Sequence, residues 1–272
     1  VKGDTIYVLY RAEDNSATGI GMRTSRIGLA KTTDGVTMTR LKEPVMYPDN
    51  DNAKEFEWEG GCEDPRVAVT EDGTYVMMYT AWNRDVPRLS VAHSKDLIHW
   101  KKYGPAFGKA YDGRFKDMAC KSGSIVTKVV DGKQVITKVN GLYLMYWGEH
   151  MVAAATSEDL INWTPVLDND NELLGLIYPR EGYFDSALTE CGPPAIQTKD
   201  GILLLYNGKN RDGEGHDTRF NAGTYSAGQV LFNSNDPFEV VGRLDVPFFR
   251  PMDDFEKSGQ YSRGTVFIEG LA

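Results

Sequence analysis

Carboxylates set in loops bounded by glycine and proline are the features of this chain best suited to chemistry. The densest group is GGCEDPRV (60–67), where Glu63, Asp64 and Arg66 crowd together and Pro65 fixes the backbone ahead of the arginine. It reads either as a buried ion-pair turn holding a strand corner or as a site where Arg66 clamps ligand hydroxyls in bidentate fashion. A further acid, Asp117, follows Lys116 in GRFKDMACKSG (113–123), a candidate general acid against the plain reading of a surface ion pair. Glu149 ends YWGEH (146–150), with Tyr146 as a candidate ligand contact, and YFDSALTECGPPAI (183–196) carries Asp185 and Glu190 ahead of a rigid Gly-Pro-Pro turn. YNGKN (206–210) offers Asn207 and Lys209, and FEKSGQYSRGTVF (255–267) offers Gln260, Tyr261 and Arg263, as polar contacts or as ordinary loop residues. Each acid alone is unremarkable. Two acids facing one pocket can hydrolyse a glycoside, one protonating the leaving oxygen and the other activating water, about 6.5–9.5 Å apart when the reaction inverts.

These loops need a scaffold, and the chain repeats one. GDTIYVLYRAED (3–14), DGTYVMMYTAWN (72–83), NGLYLMYWGEH (140–150) and DGILLLYNGKN (200–210) each run from a turn into a short apolar strand that ends in tyrosine and a polar patch. Their tyrosines, Tyr10, Tyr79, Tyr146 and Tyr206, are spaced by 69, 67 and 60 residues. A second strand and a Ser/Thr-x-Asp turn follow in RIGLAKTTDG (26–35), RLSVAHSKDLIHW (88–100) and MVAAATSEDLINW (151–163), with a weaker copy in SAGQVLFNSNDP (226–237). Trp100 and Trp163 can cover the apolar ends of their repeats. Such a repeat of short strands with almost no helical period has the size of a propeller blade. The expectation is therefore an all-β, five-bladed β-propeller, one domain over 1–272 and incomplete at both ends; a β-sandwich would not repeat this order so regularly. A propeller directs the polar residues after each tyrosine toward a central funnel.

Composition narrows the partners. With 30 Lys+Arg against 39 Asp+Glu in 272 residues the net charge is −9, and no basic run is dense enough to follow a phosphate backbone, which argues against nucleic acid and anionic membranes. No apolar stretch approaches the roughly 20 residues of a bilayer span, and residues 1–20 lack the pattern of an export signal. Both ends read as cut within a strand region, so further chain is expected on either side. Three distant cysteines and four scattered histidines match no disulfide framework or zinc spacing, and no EF-hand or phosphate-loop pattern occurs, so neither metal nor cofactor is expected. The chemistry falls to carboxylates.

The order GGCEDPRV, KD, TECGPPAI, LLYNGKN and GQYSRGTVF, spread from about Tyr7 to Gly270, resembles glycoside hydrolase family 130, five-bladed propellers acting on β-mannosides. The resemblance implies that Asp117 is the general acid, acting through a mannose hydroxyl, and that Glu63, Asp64 and Arg66 line the −1 subsite. It further implies a choice of nucleophile. Phosphorylases of the family set an arginine after the third-blade strand, a lysine before the Gly-Pro-Pro turn and a histidine in the next strand, because a phosphate dianion needs cations around it. Here those places hold Trp147 and Gly148, Ala187 and Leu188, and Asn207. Glu149 and Glu190 stand there as carboxylates that repel phosphate and accept a proton from water. The resemblance is thus nearer to the inverting hydrolases of β-1,2-linked mannosides, with Glu149 and Glu190 supplying the base alone or together. The alternatives are a phosphorylase whose phosphate site uses Arg66, Lys121 and Lys209, and a propeller that binds sugar without turnover. A segment before the first strand and an aspartate in a last strand pair, both usual in the family, are missing from the chain.

Overall fold

The four tyrosine-bearing runs fold as strands Ile6–Glu13, Tyr75–Trp82, Leu142–Trp147 and Gly201–Lys209 in a computed structural model that describes residues 1–271. Each pairs antiparallel with the strand that follows it, respectively Ser25–Thr32, Pro87–Ser94, Val152–Ser157 and Tyr225–Phe232. The apolar runs are short and rich in β-branched and aromatic residues, which suits half-buried strands and not helices. The α-helix among the described residues is a single turn, Lys54–Glu57, so the all-β expectation holds.

The Ser/Thr-x-Asp signal makes its turns through side-chain caps. Asp96 Oδ1 accepts the backbone N–H groups of Ile98 and His99, both at 2.8 Å, and Asp159 Oδ1 accepts those of Ile161 and Asn162, also at 2.8 Å. Asp34 does the same for Val36 and Thr37. A carboxylate that satisfies two successive amides replaces the hydrogen bonds a regular hairpin would make.

The chain divides into two compact units, the first mainly Val1–Lys121 with Asp159–Thr164, the second Ser122–Glu158 with Pro165–Gly270. In the first, Gly61–Val69, Tyr75–Trp82, Pro87–Ser94 and Trp100–Pro105 form a four-stranded meander, joined to Ser25–Thr32 by a short parallel bridge. Its core gathers Ile27, Met46, Cys62, Met77, Tyr79 and Ala92. In the second, Leu188–Cys191 and Ile196–Thr198 pair with Gly201–Lys209, which pairs with Tyr225–Phe232 and through it with Val240–Arg243. Its core includes Val126, Leu144, Tyr146, Phe184, Leu204, Tyr206 and Phe232.

Three of the four repeated tyrosines, Tyr79, Tyr146 and Tyr206, are core residues with a polar task. Tyr79 donates its hydroxyl to Glu57 at 2.7 Å, and the Lys102 ammonium closes on the same carboxylate at 2.6 Å. Tyr206 donates to Asp185 at 2.6 Å, and Arg243 and Arg180 meet that carboxylate at 2.5 and 3.1 Å. In both cases an acid that precedes the tyrosine is buried and neutralised by cations, which is the condition for keeping a charge out of water. Two sequence expectations are corrected here. Asp185 is fully buried within this cluster and Tyr146 is fully buried, donating to the Pro237 carbonyl and stacked on Phe232 at 4.3 Å, so neither presents a surface to a ligand.

Candidate active site

In the first unit the acidic loop becomes a bulge. The register of Gly61–Val69 against Tyr75–Trp82 shifts between Glu63 and Arg66, and Asp64 takes a φ of 49°. The extra residues turn Glu63 and Asp64 toward Arg11, which opens the polar patch of the first repeat. Arg11 donates to Glu13 at 2.7 Å, to Glu63 at 2.8 Å, to Asp64 at 3.1 Å and to Ser25 Oγ at 3.1 Å. One guanidinium therefore serves three carboxylates. Burial, reinforced by the neighbouring Asp64 charge and only partly offset by Arg11, pushes the Glu63 carboxyl up to about 7. Arg66 turns inward: it is 2% exposed and Nη1 donates to the Asp64 carbonyl at 3.1 Å, which braces the bulge and corrects the expectation of an open clamp.

Asp117 lies in the turn region after Ala110–Gly113, with its side chain 71% exposed. Its ion-pair partner is Arg88 at 2.8 Å, not the adjacent Lys116. Arg88 is itself buried, and its other donors go to the Lys116 and Val86 carbonyls at 3.3 and 3.1 Å. A guanidinium fixed at three points aims the exposed carboxylate, leaving one face open to solvent.

In the second unit Glu149 and Glu190 are directly opposite each other in an antiparallel bridge. Cross-strand partners project to the same side with Cβ atoms about 4.5–5.5 Å apart, and like charges so placed repel. Glu190 is 4% exposed and Glu149 half-buried. Ser122 donates its hydroxyl to Glu190. Backbone bonds clamp the pairing: Gly148 N–H to the Ser122 carbonyl at 3.1 Å and Cys191 N–H to the Gly148 carbonyl at 3.2 Å, with Thr189 Oγ1 donating to the His150 carbonyl at 2.9 Å. Gly148 is required here, because its φ is 126° and a Cβ would lie 2.1 Å from the Met151 carbonyl oxygen.

Around that pair the structure sorts the remaining candidates. Glu190 is opposite Asn207, which is opposite Ala227, while Lys209 is opposite both Leu188 and Tyr225, so Glu190, Lys209 and Tyr225 share one sheet face. Asn207 is on that face but fully buried; its amide donates to the Ile268 carbonyl and accepts from the Ile268 N–H at 3.0 and 2.7 Å. It fastens the C-terminal segment, a correction to its expected ligand contact. Tyr261 stands edge-on to Tyr225 at 6.2 Å and lines an open cavity of about 370 Å³ with Phe249, Phe255 and Phe267. Arg263 is exposed and engaged in an ion pair with Asp212. The Gln260 side chain lies outside the described residues. No cluster of His, Cys, Asp and Glu suited to a metal occurs among the described residues.

Sequence reasoning overlooked Arg11, Arg88, Ser122 and Tyr225. Arg11 was the most accessible of these, since it follows Tyr10 in the polar patch that the repeat marks out; the others are joined to their acids only by folding.

The acidic bulge on Arg11 and the cross-strand glutamate pair are followed here by what comparison with known proteins returns. The chain matches family 130 over residues 4–271, a family described as beta-1,4-mannooligosaccharide phosphorylase. The chain belongs to glycoside hydrolase family 130. It is 32% identical over 273 residues to a 1,2-beta-oligomannan phosphorylase of Thermoanaerobacter sp. (strain X514), covering 98% of this chain and 77% of that one. It is 65% identical to the crystal structure of a glycosyl hydrolase from Bacteroides ovatus, with a TM-score of 0.97 over 99% of this chain and 75% of the other. A second similar structure, 62% identical with a TM-score of 0.97 over 99% and 75% of the two chains, comes from work describing family 130 mannoside phosphorylases as containing glycoside hydrolases that target beta-1,2 mannosidic linkages in Candida mannan.

Proposed function

We propose that this family 130 chain is an enzyme acting on β-mannosides, and specifically a hydrolase that cleaves β-1,2-linked manno-oligosaccharides with inversion. The observation that carries the reading is the cross-strand pairing of Glu149 with a nearly buried Glu190. Two carboxylates in that arrangement repel a phosphate dianion and favour a neutral nucleophile, from which they can remove a proton. The likeness to a structure from work on β-1,2-mannoside hydrolases supports it. In this reading Asp117, aimed by Arg88, is the general acid, and Glu149 and Glu190 share the activation of water, with Ser122 orienting Glu190. Arg11, Glu63 and Asp64 contact the sugar at −1, Tyr261 and Lys209 contact it elsewhere, and the meanders are blades of a single five-bladed propeller.

The test is incubation with β-1,2-mannobiose with and without inorganic phosphate, followed by NMR of the first-formed sugar. Free α-mannose in both conditions is the expected product; mannose-1-phosphate formed only with phosphate refutes hydrolysis.

A phosphorylase reading has one observation in its favour. The Lys209 ammonium, on the same sheet face as Glu190, enters no ion pair among the described residues and so stands ready for an anion. The same incubation decides between the two.

A further inference from the structure

Ahead of the acidic bulge, the single helical turn Lys54–Glu57 has two sides with opposite fates. Ala53, Phe56 and Glu57 are buried. Glu57 is bound by Tyr79 and Lys102, and Lys102 also meets Asp51 at 3.1 Å. The Arg88 guanidinium and the Lys116 ammonium lie over the Phe56 ring, 5.5 and 5.6 Å from its centroid. The Asn83 side-chain amide donates to the Glu55 carbonyl at 3.2 Å, which ties the turn to the hairpin joining Tyr75–Trp82 to Pro87–Ser94.

The other side faces out. Asn52, Glu55 and Trp58, spaced by three, line an open cavity of about 490 Å³ together with Asp51 and Lys54. Asp51 is taken up by Lys102, and Lys54 by Asn50. The Asn52 amide, the Glu55 carboxylate and the Trp58 indole enter no hydrogen bond or ion pair among the described residues. Trp58 is 51% exposed, whereas the other four tryptophans are buried or half-buried. An indole left in water beside two unused polar groups has the make-up of a ligand platform, and the buried anchors beneath it order the turn before anything binds.

The platform flanks the candidate acids of the first unit. Trp58 leads into Gly61, which is opposite Trp82 at the end of the meander that carries the Glu63–Asp64 bulge. Pro87 is opposite Trp82 in turn, and its carbonyl accepts the Cys120 N–H at 2.9 Å, so the segment bearing Asp117 meets the same end. Arg88, stacked on Phe56, is also the cation that aims Asp117.

We propose that Trp58, Glu55 and Asn52 form a further sugar subsite, away from the reacting centre, that takes a mannose residue of a β-1,2-linked chain longer than the disaccharide. The proposal takes its ligand from the β-mannoside reading and does not depend on hydrolysis. A β-mannopyranoside carries axial C–H bonds at C1, C3 and C5 on one face, a flat apolar surface that suits the indole. Its axial O2, through which a β-1,2 chain continues, projects from the other face and stays clear of the ring. The equatorial hydroxyls at the sugar edge then reach the Glu55 carboxylate, which accepts, and the Asn52 amide, which donates and accepts. An α-mannoside places an axial oxygen on the stacking face and loses the fit.

The experiment follows indole N–H resonances of 15N-tryptophan-labelled protein, the Trp58 signal being assigned by its loss in Trp58→Phe. β-1,2-Mannotetraose is titrated into the Asp117→Asn variant in phosphate-free buffer, so that the sugar is not consumed. The Trp58 signal should move saturably, and α-1,2-mannotetraose should leave it in place. Glu55→Ala should weaken the dissociation constant read at Trp58 by about tenfold, the size of one lost charge-assisted hydrogen bond. An unmoved Trp58 signal, equal movement with the α-linked sugar, or an unchanged constant in Glu55→Ala overturns the proposal. Movement with protein concentration alone makes the surface a contact between copies of the chain and equally overturns it. In the wild type, the ratio of kcat/KM for mannotetraose over mannobiose should fall about tenfold on Trp58→Ala, and an unchanged ratio counts against the subsite. Sugar binding at Trp58 without hydrolysis keeps the subsite and removes the hydrolase reading; hydrolysis with a silent Trp58 does the reverse.

Discussion

Replacing Glu63 by glutamine should change how stability depends on pH. The carboxyl is 4% exposed and is pushed from 4.5 up to about 7, so the folded protein holds a proton there that the unfolded chain releases. A raised acid contributes stability that is intact below about 4.5 and disappears as pH rises through about 7. That interval, at 1.36 kcal/mol per pH unit, corresponds to roughly 3 kcal/mol for this one group. The Glu63→Gln variant would carry no such dependence, because an amide does not titrate, although it gives up the ion pair with Arg11. Urea unfolding of wild type and Glu63→Gln at pH 5 and pH 8 gives two differences in stability. The variant should gain on the wild type by about 2–3 kcal/mol between the two pH values, whatever its offset at pH 5. Parallel stability curves across that range would show that Arg11 fully compensates the burial of Glu63 and would refute the reasoning.

Asp117→Asn should lower kcat by about 10²–10⁴-fold in a mannobiose assay while leaving the thermal midpoint in place, since the side chain is largely exposed and contributes one ion pair. Glu149→Gln and Glu190→Gln should each cut hydrolysis steeply while leaving stability equal or raised by about 0.2–1 kcal/mol, through relief of a like-charge cross-strand pair; a calorimetric loss of several kcal/mol would show that the two acids are structural. Asp185→Asn removes the charge that Arg180 and Arg243 converge on and should cost about 3–5 kcal/mol in denaturant unfolding, far more than any exposed acid such as Asp245.

The strand pattern was legible because it is local. Alternating apolar residues, a turn at each start and a Ser/Thr-x-Asp cap at each end specify strand pairs over a few residues, and the four tyrosine strands and their partners fall where the repeat places them. The candidate acids were legible for a related reason: Glu149 and Glu190 stand beside glycines and prolines whose backbone constraints show in the sequence. What those acids touch was not. Asp117 had an obvious neighbour in Lys116 and takes Arg88 instead, 29 residues away, because only Arg88 has its stem buried and its remaining donors satisfied.

The amino-acid sequence alone carried the all-β character, the repeat and the resemblance to family 130, since these rest on periodicity and on motifs a few residues long. Folding decided which polar residues face a ligand. Tyr146, Asp185, Asn207 and Arg66 have the residue types of a binding site, yet desolvation drives each to find partners inside the protein, and those partners stand 2 to 91 residues away. Glu149 and Glu190 are 41 residues apart in the chain and become one chemical unit through the bridge between them.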